Sequence, residues 1–395
     1  MYISCSADQK ILEIPLEGAA VIGGYWSSEL GLYTKPALLS WKGGSVDSLQ
    51  PLEDKDHKDL NCPGFFAWES YFLQPGWLDA HVHLALDGVD FYQCLDNWAD
   101  PSLIDKNIEE YLKHYLEKGI VAIRDGGDLP GFSWNARSRV QANEWLGPRV
   151  VSVHEAVNRK SMYGRFLGRG FDKISEWRDS EDGFFRQGLD QLKVIVTGLI
   201  RFDRFQVVGP TQWTVEELST IVESAHRRGI QVMAHASGEE GISVSIEAGV
   251  DSIEHGYYIR GDQLEEMKER GIAWVPTVAP IGNILKYPTS RYSPEEIDIL
   301  KRILDSQLTK ISEAYALDVR LGVGTDAGAY LVPHADGFFD ELAWMIQAGI
   351  PELEVYKRAT AENALIMSSP NLGKLEIGTP LNFLQLAQKK GYIDK

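Results

Sequence analysis

Pro75-Gly76-Trp77-Leu78-Asp79-Ala80-His81-Val82-His83-Leu84 closes an apolar run with two histidines two positions apart. Residues i and i+2 of a strand point to the same side. If Trp77 to His83 is a strand of a closed barrel, both imidazoles face the barrel axis at its carboxyl end, near enough to share one cation. A lone His-x-His is more often an ordinary pair of hydrogen-bonded core histidines, because short motifs match by chance. The decision therefore rests on Lys193, His235, His255 and Asp326, each at or near the end of a further predicted strand.

From residue 75 onward, short apolar stretches alternate with amphipathic ones, the pattern of βα units around a parallel sheet. Strands are expected at 77–83, 120–125, 149–154, 192–197, 230–235, 251–255, 272–277 and 320–325. The intervening helices carry start signals with a mechanism. Asp100-Pro101 puts proline in a first turn, and Thr214 with Glu217, like Ser293 with Glu296, makes a capping box that satisfies free N–H groups. Glycines 119, 229, 249 and 271 stand where each helix must end in a left-handed residue. Eight alternations in this span give a (β/α)8 barrel, an α/β fold whose active site is built at the carboxyl ends of its strands.

By that rule His81 and His83 end the first strand, Lys193 lies on the fourth, His235 ends the fifth, His255 the sixth and Asp326 the eighth. All six meet at one mouth. This succession resembles the amidohydrolase superfamily, over roughly residues 74 to 368 and including Ala359-Thr360-Ala361-Glu362-Asn363-Ala364. Leu192 to Gly198 is similar to its binuclear branch with a carboxylated lysine, the dipeptidase and arginine-carboxypeptidase-like enzymes. Leu199 departs from that branch, which shows a further glycine, and the third-strand region lacks its Gly-rich histidine motif. Gly373, Leu375 and Gly378 match the family's tail, which returns the chain to an N-terminal β domain, while Asn382-Phe383 stands where Ala-Asp is usual.

The chemistry also follows from the residues. Neutral imidazoles and carboxylates suit a divalent ion of the zinc type, with one position left open for water. Lys193 sits among apolar residues on a strand buried on both faces, where an ammonium costs several kcal/mol unless paired or neutralised. As a carbamate it bridges two ions, the role the resemblance implies, and two ions bind per chain; as a plain lysine reaching to water it leaves one. Asp326 is expected to be both ligand and proton acceptor, passing its proton to the departing nitrogen. The expected function is a metal-dependent hydrolase that uses activated hydroxide on the C–N bond of an amide, N-acyl, dipeptide-like or cyclic amide molecule. The alternative is a mononuclear deaminase or imidazolone-type hydrolase of a nitrogen heterocycle, in which Lys193 does no metal chemistry.

The rest of the 395 residues bounds this reading. Residues 1–74, with short apolar runs and Gly-rich turns, are expected to join 369–395 in a small β-rich domain beside a barrel of residues 75–368. Within the first part, residues 50–61, including His57, read as a charged surface loop. A formal charge of −18 excludes a phosphate-binding surface, so neither nucleic acid nor an anionic membrane is expected as partner. Cys5, Cys62 and Cys94 are odd in number and not arranged as CxxC, which fits a reducing compartment. Without a basic-then-apolar leader at its start, the chain is expected to be cytoplasmic, with a small-molecule substrate and oligomeric state left open.

Substrate contacts are expected from loops. Residues 159–178 are rich in Arg and Lys, so Arg165 and Arg169 are candidates for a substrate carboxylate. His154 at the third strand's end and Tyr257 after His255 are further candidates. His114 and His226, in predicted helices, are expected to lie outside the chemistry, while His334, in the loop after the eighth strand, is within reach of the mouth.

Overall fold

The computed structural model describes residues 1–28, 30–52, 65–287 and 289–388; His57 and Cys62 lie outside them. Two sheet systems share the chain. The larger is a ring of parallel strands: Trp77–Val82, Ile120–Asp125 and Arg149–Ser152 form one arc, and Leu192–Ile195, Val232–Ala236, Ser252–His255 and Ala273–Val275 the other. These seven strands fall within the stretches expected to be strands, except that the fifth runs one residue further, to Ala236.

The eighth position is not a regular strand. Residues 320–327 nevertheless bridge the arcs: Trp274 N donates to Arg320 O, Ala80 N to Val323 O and Asp326 N to His81 O, at 2.8, 2.9 and 2.7 Å. Side chains occupy the remaining ladder positions. Asn363 accepts from Val323 N and donates to Val323 O and Leu78 O, while Asp79 accepts from Thr325 N and Oγ1. Gly324 explains why the segment lies so close. A Cβ there would stand 2.8 Å from His81 Cβ and 2.9 Å from His81 N. Between the third and fourth strands the ring closes through Asp190 N to Ser152 O and through Val157, which bonds Lys193 O and Ile195 N. The result is a (β/α)8 barrel.

Around it, the capping signals act as expected. Asp100 accepts from Ser102 N and Leu103 N at the start of helix Pro101–Glu117, and reciprocal capping boxes open Val215–His226 and Pro294–Ala316. Gly119, Gly229, Gly249 and Gly271 have φ of +83°, +70°, +79° and +69°. Buried Leu, Ile, Val and Trp from strands and helices form the main core, and Leu78, Val121, Val151, Val275 and Met367 fill the barrel's lower interior.

The second system is an eight-stranded sheet ordered Lys10–Glu13, Tyr2–Cys5, Leu384–Gln388, Phe65–Pro75, Gly18–Ser27, Ala37–Lys42, Ser45–Pro51, with Gly31–Tyr33 paired to Gly18–Ser27. Leu384–Gln388 is parallel to Tyr2–Cys5 and antiparallel to Phe65–Pro75. Its own core gathers Ile3, Ile22, Leu39, Trp41, Trp68 and Leu386. No helix among the described residues is long and apolar enough to cross a membrane.

Candidate metal centre and substrate cavity

His81 and His83 leave the end of the first strand on the same side, and Asp326, from the segment hydrogen-bonded to it, lies between them. Asp326 Oδ1 is 3.5 Å from Nε2 of each. Ligand atoms of these three residues all lie within 4.8 Å of one another. Lys193 Nζ comes in from the fourth strand to 3.4 Å of His81 Nε2. The His255 ring centroid is 5.0 Å from that of His81 and 4.4 Å from that of His235. All six sequence-predicted residues thus stand at one end of the barrel.

Neighbouring side chains set how these groups are presented. His81 Nδ1 is 2.7 Å from Glu254 Oε2, so the ring donates there and turns the Nε2 lone pair towards Lys193 and Asp326. Glu254 in turn accepts two bonds from Arg124 Nη2, at 2.9 and 3.0 Å, and one from Ser252 Oγ at 2.6 Å. His255 Nδ1 is held by Thr277 Oγ1 at 2.7 Å, and its carbonyl accepts from Trp274 Nε1 at 3.0 Å. Gly126 makes room for His83, since a Cβ there would stand 2.4 Å from the ring. Three strand ends also hold non-glycine residues in the left-handed region: His154, His255 and Asp326, at φ of +64°, +70° and +58°. Each such residue costs on the order of 1–3 kcal/mol, and such strain clusters at functional sites.

Burial governs the charge states. Loss of solvation, aided by the nearby Lys193 ammonium, pushes His83 and His235 down to about 3, and His81 and His255 fall well below the ordinary histidine value. The imidazoles are therefore neutral, the form that binds a metal ion. Burial likewise takes Lys193 down to about 8 against the opposing pull of Glu254 and Asp326. Among the described residues Lys193 has no ion-pair partner. Asp326, 19% exposed, is raised to about 6 by desolvation, opposed by Lys193. Nε2 of His235 is buried without a hydrogen-bond partner, as a nitrogen reserved for an ion would be. Neutral imidazoles, a carboxylate and a poorly neutralised lysine fit one or two divalent ions.

A cavity of about 400 Å³ opens from this cluster, with Lys193, His235, His255 and Asp326 in its lining. Its walls are largely apolar, with Phe91, Tyr163, Phe166, Phe202 and Tyr257 among them. Tyr257 is thus brought to the site, its hydroxyl bonded at 3.4 Å to Thr277 O. The loop 159–178 also reaches it, through Tyr163, Phe166 and Leu167 rather than through its cations. Arg169 is bonded to the buried Glu155, with Nε 3.1 Å from each carboxylate oxygen, and Arg165 is exposed; neither lines the cavity. Arg159 pairs with Glu217 and stacks on Trp213, and Lys160 pairs with Asp172. Three of the six cations in the expected carboxylate-binding stretch, Arg159, Lys160 and Arg169, are therefore held by acidic partners.

His154 also lies outside the cavity lining, packed edge-on against Trp134 with centroids 5.3 Å apart. The other described histidines have structural partners, and His334 does not line the cavity. His334 bonds Tyr115 and Leu86 O, His114 pairs with Asp336, and His226 with Asp251. Sequence reasoning missed Glu254, Arg124 and Arg291, the last lying at the cavity mouth. For the first two a signal existed: charged residues inside strands that the barrel buries on both faces.

Comparison with known proteins agrees with this geometry. The amidohydrolase family profile matches residues 72–390. An ochratoxinase of Aspergillus niger is 26% identical over 345 residues, 80% of this chain and 70% of that protein. An uncharacterised Mycobacterium tuberculosis protein is 29% identical over 350 residues, 87% and 85% of the two chains. The crystal structure of a Xaa-Pro dipeptidase with methionine in its active site superposes with a TM-score of 0.77 at 20% identity, covering 92% of each chain. The chain belongs to the amidohydrolase family, and is an enzyme of that family, a hydrolase acting on carbon–nitrogen bonds.

Proposed function

We propose that this enzyme cleaves the amide C–N bond of a small molecule at a centre of two divalent ions, most suitably zinc, held by His81, His83, Lys193, His235, His255 and Asp326. The observation that supports this most is the meeting of His83, His235 and His255, an unpaired buried lysine and a carboxylate on one cavity floor, with His81 packed directly against Lys193 and His255. When bound, such an ion lowers the pKa of a coordinated water from 15.7 to about 7 and polarises a carbonyl.

The chain's own residues do the rest. Neutral Lys193 adds its Nζ lone pair to carbon dioxide, forming an N–C bond and losing one proton to solvent, which leaves a carbamate anion where an ammonium would repel cations. Asp326 accepts the attacking water's proton and delivers it to the leaving nitrogen, from a position between His81 and His83 at the cavity floor. Glu254 holds His81 in its ligating tautomer. The aromatic wall excludes water and accepts an apolar acyl or amine group. The 26% identical ochratoxinase supports an enzyme of this kind acting on small molecules.

The compact group of His81, His83 and Asp326 also favours a second reading, a single-ion hydrolase or deaminase in which Lys193 remains a lysine. Elemental analysis of the purified protein and of Lys193→Ala separates the two. Two equivalents falling to one or fewer on substitution is the expected result, with amine and carboxylic acid as products. One equivalent unaffected by the substitution, with ammonia released from an amino-heterocycle, would sink the two-ion reading.

A further inference from the structure

We propose that Arg291 selects substrates bearing a carboxylate, so that the enzyme takes N-acyl amino acids or dipeptide-like amides whose apolar part lies along the aromatic wall. This rests on the C–N hydrolase reading and adds the substrate's charge. Among the described residues, Arg291 and Lys193 are the two cationic side chains that line the cavity, and Asp326 is its one lining carboxylate. Lys193 lies buried at the floor, whereas Arg291 is exposed at the mouth with no carboxylate partner among the described residues. The surface of a chain with formal charge −18 repels anions. Keeping acidic groups off this mouth while leaving a guanidinium open there reverses the local sign.

The group is also pre-positioned. Its guanidinium carbon lies 4.5 Å from the centroid of Tyr330, whose hydroxyl is fixed 2.9 Å from Thr289 Oγ1. Tyr292, the next residue, packs edge-on against Phe202 and Tyr330, both in the same lining. Stacking on one face leaves the guanidinium edge, with its paired N–H donors, for a carboxylate. The contrast with Arg169 is direct, since that fork is already occupied by Glu155.

The test compares metal-loaded wild type, Arg291→Met and Arg291→Lys on N-benzoyl amino acids and on matched N-benzoylalkylamines that lack only the carboxylate. Methionine retains length and apolar contact with Tyr330. Arg291→Met should raise KM for the acids roughly tenfold, the scale of a charge-assisted contact at a partly exposed site, and leave kcat within about twofold. The uncharged amides should be unaffected. The wild-type preference for acids should shrink with added salt, and Arg291→Lys should recover part of it.

Calorimetric binding of the same pairs is measured in parallel and needs no turnover. If wild type binds acids better than amides and Arg291→Met abolishes that difference without any hydrolysis, the anchor stands and the assumed reaction falls. Equal losses for both members of a pair, or an acid preference surviving in Arg291→Met, overturns the proposal.

Discussion

Replacing Glu254 by glutamine exchanges one oxygen for an amide nitrogen and should disturb two properties that can be measured separately. Arg124 is buried, and Glu254 is its carboxylate partner among the described residues. Removing one member of a buried ion pair costs about 3–5 kcal/mol, because the other charge is left enclosed. The carboxamide oxygen still accepts from Arg124, so a value near the lower end, about 3 kcal/mol, is expected for the metal-stripped protein in urea unfolding.

The second effect is on His81. In Glu254→Gln, with the carboxamide oxygen turned to Arg124, the amide offers an N–H to His81 Nδ1, which in the native protein stands 2.7 Å from a carboxylate oxygen. The imidazole must then carry its proton on Nε2, the nitrogen facing Lys193 and Asp326. Metal affinity, read by competition with a chelator, should fall about 10–100-fold. The double variant Arg124→Met/Glu254→Gln separates the effects: it removes the stranded charge and should regain stability, yet keep the weakened metal binding. A single variant that unfolds like wild type and retains its metal would refute the reasoning about both the ion pair and the tautomer.

Gly324→Ala should destabilise the protein by about 1–3 kcal/mol and weaken metal binding, because the new Cβ collides with the backbone and Cβ of His81; a fully metallated variant of unchanged stability counts against the close approach. His235→Asn should flatten the pH dependence of stability of the metal-free protein below the ordinary histidine value of 6.5. His235 titrates near 3 when folded and near 6.5 when unfolded, so its contribution is complete above 6.5 and is lost as pH falls towards 3. At about pH 5 that loss is about 2 kcal/mol relative to about pH 7, and urea midpoints at the two pH values should show the variant losing less than wild type by this amount.

The site's floor was legible because strand periodicity is local. His81 and His83 announce their shared face by spacing alone, and the barrel rule then brings His235, His255 and Asp326 to the same end. What sequence could not show is which charges cancel. Arg169 looked free because its partner Glu155 lies 14 positions away across a turn, whereas Arg291 drew no attention in a short segment between helices. The eighth strand was misjudged for a related reason. Its ladder is partly replaced by side chains of Asp79 and Asn363, 246 and 40 positions removed from their bonding partners.

The interleaved small sheet sets an order of events during synthesis. Leu384–Gln388 occupies the slot between Tyr2–Cys5 and Phe65–Pro75, so those two strands emerge from the ribosome about 300 residues or more before the partner that separates them. At roughly 5–20 residues per second they wait on the order of tens of seconds with unsatisfied edges. The six proposed metal ligands have all emerged by then, but the platform beside the barrel cannot close, and deletion of Leu384–Gln388 should leave two sticky edges and an aggregation-prone protein that keeps those residues.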